Sequence, residues 1–87
     1  MDIIFAKSAA KHSVSQDQVI KIMAGKSGRK IGVSKEMLNK LAWVGSDDFN
    51  EIIEIIAIDF ITYKFVIHVM PISKRKAGEY EQMEGLW

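Results

Sequence analysis

The side chains of this 87-residue chain that could do chemistry are cations, imidazoles and phenols. Those with the most useful positions lie towards the two ends of the chain: Lys11, His12, Arg29, Lys64, His68, Arg75 and Tyr80. Such groups suffice to cleave RNA without a metal ion. A base must take the proton of the ribose 2′-hydroxyl, and an acid must protonate the leaving oxygen. Cations must neutralise the charge on the phosphate oxygens. This chemistry requires the N-terminal segment and the last predicted strand to flank one groove.

His68 is the main candidate for the acid or base. Strict alternation along its strand predicts that it shares a face with Lys64, Val66 and Met70. Lys64 would then bind phosphate beside the imidazole and help to keep the imidazole neutral. In the alternative interpretation, His68 is a hydrogen-bonded structural residue of an apolar strand. His12 has the same alternative, since the helix dipole favours a cation at the end of a helix.

The basic run Lys74-Arg75-Lys76 is a candidate for phosphate contacts, with ordinary solvated surface as the alternative. Tyr80 can stack on a base, although its spacing with Met83 and Trp87 also fits a core or an interface. Catalysis is therefore assigned to His68, Arg75 and Tyr80. Substrate binding is assigned to the surrounding cations: Lys11, Arg29, Lys64, Lys74 and Lys76.

The composition excludes several classes of chemistry. The chain has no cysteine, which excludes disulfides, thiolate catalysis and cysteine zinc sites and makes a reducing compartment the expectation. The two histidines and the Asp47-Asp48 pair have no recognised metal-ligand spacing. Residues 25–30 contain a fragment of a phosphate-binding P-loop, but Ile20 stands where that motif needs its first glycine. We predict no metal and no cofactor.

Neither a membrane span nor a targeting segment is expected. The longest apolar run, residues 52–58, is interrupted by Glu54 and is far shorter than the roughly 20 residues that a membrane helix needs. Residues 1–12 lack the order of basic, apolar and cleavage regions that defines a signal peptide. We therefore predict a cytoplasmic protein without membrane contact.

The formal net charge of +1 conceals an uneven distribution. Residues 1–40 carry eight bases and three acids, residues 41–62 carry five acids and no base, and residues 63–87 carry four bases and three acids. If the basic ends converge in the fold, they form a phosphate-attracting face; the alternative is ordinary solvated surface.

The length and the 48% apolar content fit one domain, residues 1–87, with one core. Ser15 and Gln18 form a capping box that predicts a helix over residues 16–24, ended by Gly25. Helical spacing predicts a first short helix over residues 5–12. Strands are predicted for residues 29–33, 41–45, 51–60 and 63–70, with one helical turn after Ser34 and a stop at Pro71.

The predicted fold class is α+β. Two short N-terminal helices lead into a curled antiparallel β-meander, and residues 73–87 form a basic helical tail. The middle strand is expected to place Ile53, Ile55 and Ala57 on one face and Ile52, Ile56 and Ile58 on the other. A partner, or a second copy of the chain in a homo-oligomer, is expected to cover large exposed side chains. The candidates are Trp43, Tyr80, Met83 and Trp87.

Three segments carry a family resemblance. Residues 9–15 read A-A-K-H-S-V-S, residues 66–76 read V-I-H-V-M-P-I-S-K-R-K with Glu79-Tyr80 behind them, and the isoleucine-rich strand pair completes the pattern. The first segment resembles the K-H-G-V-S helix junction of the BrnT family of bacterial toxins. Residues 66–76 resemble that family's final strand and its basic terminal segment. Small uncharacterised toxin-like proteins of bacteria share this layout, and the order of elements agrees over roughly residues 3–82.

BrnT proteins belong with the RelE-like toxins, which are compact α+β ribonucleases paired with an antitoxin. The resemblance therefore implies the toxin of a type II toxin-antitoxin pair, a metal-independent endoribonuclease with RNA and a cognate antitoxin as partners. Two alternatives stay open: a non-catalytic protein- or nucleic-acid-binding module of the same fold, and a toxin that poisons a protein target.

The chain departs from the family pattern at two positions. Ser13 stands where the family has glycine, and if this position is the left-handed end of a helix, a serine there costs about 1 kcal/mol of stability. Pro71 interrupts a segment that continues in the family.

Overall fold

The computed structural model describes residues 2–74. These residues form an α+β fold in which one α-helix packs against a five-stranded mixed sheet. The strands are β1 (Asp2–Phe5), β2 (Arg29–Val33), β3 (Asn39–Ser46), β4 (Ile52–Asp59) and β5 (Tyr63–Pro71). The helix α1 spans Gln16–Gly25, and short 3-10 turns span Lys7–Ala10 and Ile72–Lys74. Within the described part of the chain, no helix has the length and apolar content to cross a membrane.

The predicted helix α1 is confirmed. It begins after Ser15, whose Oγ accepts a hydrogen bond from the backbone N–H of Gln18 at 3.3 Å. This bond satisfies one of the donors that a helix N-terminus leaves without an intrahelical partner. The helix buries Val19, Ile22 and Met23 against the sheet. This packing makes α1 the cover of one sheet face.

The prediction of two N-terminal helices is wrong. Residues 2–5 form a parallel edge strand that pairs with β5, with Phe5 opposite Val66, and only Lys7–Ala10 makes a helical turn. The helical spacing of the small residues reflects one buried contact, at Ala9, rather than a helix face. The partner of β1 lies about sixty positions away, and no local pattern in residues 2–5 encodes it. The predicted C-terminal helical tail covers residues 73–87; Ser73 and Lys74 belong to the 3-10 turn Ile72–Lys74, and the rest of the prediction lies outside the described residues.

The predicted antiparallel meander is confirmed for β2 to β5, which pair in succession as β2–β3, β3–β4 and β4–β5, while β1 adds a parallel strand beside β5. The helical turn expected after Ser34 is instead the turn of the β2–β3 hairpin. There the backbone N–H of Ser34 donates to the carbonyl of Leu38, and the Ser34 Oγ accepts from the Leu38 N–H at 3.1 Å. The Ser34 hydroxyl thus closes a hairpin.

The sheet has two faces, which we call the helix face and the second face. On the helix face Ile53, Ile55 and Ala57 of β4 are buried against α1, as the alternation predicted. On the second face Ile56 packs with Ala42 and Val44 of β3. Both faces of β4 are therefore mostly buried, and both are apolar apart from Glu54 on the second face.

A β-bulge in β5 changes the face of every residue after it. Ala57 pairs with Val66 and Ile56 pairs with His68, so Ile67 is an extra residue between them. Because side chains alternate between faces, one extra residue reverses the pattern. Val66 and Val69 consequently belong to the same core cluster although they are three positions apart.

Trp43 is buried, with 3% of its surface exposed, and the expectation that a partner covers it is wrong. Its indole Nε1–H donates to the carbonyl of Lys26 at 3.0 Å. The ring lies against Gly28, where an added Cβ would stand 2.5 Å from the ring carbon Cζ2. The glycine of the P-loop-like segment therefore makes room for a tryptophan.

Candidate functional site

A cavity of about 430 Å³ lies on the second face of the sheet. Its apolar part comes from Ile56 of β4, Ile67 of β5 and the backbone and side chains of residues 31–33 of β2. Its polar part consists of Ser8, Lys11, Lys40 and His68. The cavity therefore combines an imidazole with two ammonium groups beside an apolar wall.

His68 reaches this cavity because of the bulge at Ile67, which moves it to the second face. Its Nε2 lies 3.4 Å from Oε1 of Glu54, a long hydrogen-bond contact with the neighbouring strand. Glu54 is completely buried, and 16% of the His68 side chain is exposed. A carboxylate that contacts one ring nitrogen of an imidazole orients the ring.

The turn Lys7–Ala10 brings the N-terminal segment to the cavity. The Ser8 Oγ donates to the carbonyl of Ile67 at 2.8 Å, and the backbone N–H of Ala6 donates to the carbonyl of Val66 at 2.8 Å. These two bonds fix the turn on the bulge itself. Lys11, which follows the turn, consequently lies at the edge of the cavity.

Two of the predicted site residues meet here, namely His68 and Lys11. Arg29 lies opposite Ala42 on the exposed edge strand, which places it on the second face but outside the residues that line the cavity. Lys74 is exposed in the turn after β5. Three more of the predicted residues, Arg75, Lys76 and Tyr80, lie outside the described residues.

Lys64 does not belong to the cavity, and the prediction that it shares a face with His68 is wrong. It pairs with Asp59 of β4 in the register of the helix face, and its ammonium forms an ion pair with that carboxylate. Val66 likewise faces the helix-side core. The bulge at Ile67 lies between these residues and His68 and is the reason for the difference. Met70 does share the second face with His68, as predicted.

Three residues at or beside the cavity were missed from the sequence: Ser8, Lys40 and Glu54. Lys40 pairs with Ile58 on the second face, two positions from buried Ala42 along β3. Strand alternation from Ala42 could have found it. Glu54 had a clearer signal, because it is the one charged residue in the apolar run 52–58.

His12 lies apart from His68 and lines a different cavity of about 320 Å³, together with Phe49 and Pro71. Beside that cavity, Asp48 accepts hydrogen bonds from the Lys21 ammonium and the Gln18 amide, both at 2.8 Å. These bonds, first that of Lys21 and then that of Gln18, lower the pKa of Asp48. This cluster ties α1 to the β3–β4 turn and has a structural role.

Across residues 2–74 no group of three His, Cys, Asp or Glu side chains comes together as a metal-binding set. Comparison of the chain with family models, with curated proteins and with solved structures finds no match.

Proposed function

We propose that the protein is an RNA-cleaving toxin of a type II toxin-antitoxin pair and that the second-face cavity is its active site. The observation that carries the proposal is the meeting of Lys11, Lys40 and His68 in one cavity. They come from three segments that are far apart in sequence. Two cations from the N-terminal part of the chain thus meet an imidazole of the last described strand, a set of groups that suits metal-independent phosphate chemistry.

The cleavage step needs a base, phosphate-binding cations and an acid. His68 takes the proton of the ribose 2′-hydroxyl, and the resulting oxygen attacks the adjacent phosphorus. The bond to the 5′-oxygen of the next nucleotide breaks, which leaves a 2′,3′-cyclic phosphate and a 5′-hydroxyl. Lys11 and Lys40 stabilise the charge on the phosphate oxygens. Arg75 and Tyr80, which follow Lys74 in sequence, are proposed to stabilise charge and to protonate the leaving oxygen.

The biological assignment draws on the resemblance of residues 9–15 and 66–76 to the BrnT and RelE-like toxins. It proposes RNA and a cognate antitoxin as partners and the cytoplasm as the place of action. A homo-oligomer is a further proposed assembly. Arg29, Lys74 and Lys76 are proposed to contact the RNA chain beyond the cavity.

A non-catalytic nucleic-acid-binding module is the second candidate. One observation favours it: among the described residues that line the cavity, His68 is the only histidine, aspartate, glutamate or tyrosine, the usual acid–base catalysts. The lysines around it would bind phosphate without cleaving anything. The two functions therefore differ in whether RNA is cut, and a single assay separates them.

The test combines cleavage and growth measurements. We expect the purified protein to cut single-stranded RNA in the presence of EDTA, to leave cyclic phosphate ends, and to arrest bacterial growth when it is expressed. His68→Ala should lower the cleavage rate by roughly 100-fold or more, because a positioned acid or base contributes about that much. Lys11→Ala and Lys40→Ala should weaken RNA binding.

Lys64→Ala is the matched control, because it removes a cation from the helix face of the same strand. It should cleave RNA like the wild type once the folded fraction is corrected for. Thermal unfolding of the same preparations separates a structural His68, whose loss lowers stability with little change in rate per folded molecule. A wild type that binds RNA but never cuts it assigns the protein to the binding-module class.

A further inference from the structure

We propose, building on RNA cleavage at the cavity, that Glu54 is a positioning residue for His68. Its carboxylate holds the imidazole in the tautomer with the proton on Nε2, which places the ring's lone pair on Nδ1. Nδ1 is then the atom that accepts the proton of the 2′-hydroxyl. Glu54 acts through His68 and does not itself touch the substrate.

The location of Glu54 is the first support. It occupies the centre of β4, is 0% exposed, and lies between Val44 of β3 and Met70 of β5 in the register of the sheet. Ile56, its neighbour on the same face of β4, is apolar as well. An apolar side chain at position 54 would continue this cluster, whereas a buried carboxylate must be compensated by its neighbours. Packing alone therefore gives no reason for a glutamate here.

The bulge at Ile67 is the second, independent support. If side-chain alternation ran unbroken from Val66 through Ile67, with no bulge, His68 would face α1, on the other side of the sheet from Glu54. With it, the imidazole Nε2 and the Glu54 Oε1 come within 3.4 Å, and the Ser8 hydroxyl bonds the carbonyl of the bulged residue. The bulge and the buried carboxylate thus both lead to one contact at the edge of the cavity.

The chemical consequence follows from the two nitrogens of a neutral imidazole, of which one donates and the other accepts. Glu54 accepts at Nε2, so the acceptor of the ring is Nδ1. When His68 takes up the proton of the 2′-hydroxyl, the carboxylate also stabilises the imidazolium that forms. The same carboxylate therefore selects the tautomer of His68 before the proton transfer and stabilises the positive charge of the ring after it.

The test reads the tautomer of His68 directly, by long-range proton–nitrogen NMR of the full-length protein with labelled histidine, beside single-turnover cleavage of RNA. We expect the Nε2-protonated form in the wild type. Glu54→Leu should give a mixture of tautomers and a cleavage rate per folded molecule lower by roughly 10-fold or more. Glu54→Gln keeps the length and an oxygen acceptor without the charge, and a smaller loss is expected.

Asp59→Asn is the control, because it removes a carboxylate from the same strand on the helix face and should leave the His68 tautomer unchanged. An unchanged tautomer in folded Glu54→Leu overturns the positioning role, whether or not RNA is cut. If the leucine variant does not fold, Glu54→Gln takes its place. An unchanged His68 tautomer together with an unchanged cleavage rate in that variant overturns the positioning role. A wild type that cuts no RNA overturns the proposed function, which is a separate result.

Discussion

Ser13 has a backbone conformation that L side chains rarely adopt. Its φ is 58°, in the left-handed region, in the short link between the turn Lys7–Ala10 and the cap residue Ser15 of α1. At a left-handed position, a serine costs about 1 kcal/mol relative to glycine. Met37 and Asn50 share this conformation, with φ of 64° and 62°. For Asn50 this is ordinary, since asparagine tolerates the left-handed region.

Replacing Ser13 by glycine should raise the free energy of unfolding by about 1 kcal/mol, because glycine adopts this conformation without a steric penalty. For a domain of this size, that gain corresponds to a rise of about 4–8 °C in the thermal midpoint. Ser15→Gly is the control: Ser15 has an ordinary φ of −68° and caps α1, so its replacement should lower stability by a few tenths of a kcal/mol. A loss of stability in Ser13→Gly would contradict the strain argument.

The residues of the candidate site were predictable to different degrees. His68 and Lys11 followed from residue type and position near the ends of the chain. Lys64 was misplaced because strand alternation is a local rule, and a single bulged residue reverses it without any signal in composition. The sequence predicts for Glu54 only an interruption of the apolar run 52–58 in an acidic, solvated segment, because its burial and its contact with His68 depend on a different strand.

Among the elements, those that local chemistry determines were predicted and those that distant pairing determines were not. The cap at Ser15 fixed α1, and β-rich runs between turn residues fixed β2 to β5. By contrast, β1 pairs with a strand at the other end of the described chain, and its four residues do not reveal that partner. This difference matters for the site, since β1 and the turn after it bring Ser8 and Lys11 to the bulge of β5.

The contact between the α1–β2 loop and β3 can be tested at Gly28. Adding a methyl group there should lower the free energy of unfolding by about 1–3 kcal/mol, because overpacking a filled site forces its neighbours to move. The Trp43 ring has little freedom to yield, since its Nε1–H is bonded to Lys26. Gly32→Ala is the matched control, because nothing lies within 4 Å of its added Cβ. Chemical denaturation of both variants measures the difference, and equal stabilities would contradict the packing described for Trp43.

At the scale of the whole molecule, the sheet separates the cations into two groups. Lys11 and Lys40 lie at the cavity on the second face, whereas Lys64 is neutralised by Asp59 in the register of the helix face. Some of the acidic charge of the middle segment is also neutralised, since Asp48 pairs with Lys21 of α1. The near-zero net charge therefore coexists with a local cationic site, and long-range attraction of RNA by net charge alone is weak.

This arrangement predicts how RNA binding depends on salt. Each cation that neutralises a phosphate of single-stranded RNA releases a condensed counterion, which contributes a slope of about −0.7 to the logarithm of affinity against the logarithm of salt concentration. We expect Lys11→Ala and Lys40→Ala each to reduce the steepness of that slope by about this amount, and Lys64→Ala to leave it unchanged. The measurement is a titration of a 2′-O-methyl RNA, which cannot be cut, by fluorescence anisotropy at several salt concentrations. Equal changes in the salt slope for all three lysine variants would mean that RNA responds to the overall charge of the protein rather than to a site on the second face. The electrostatic reason for placing the phosphate between Lys11 and Lys40 would then be lost.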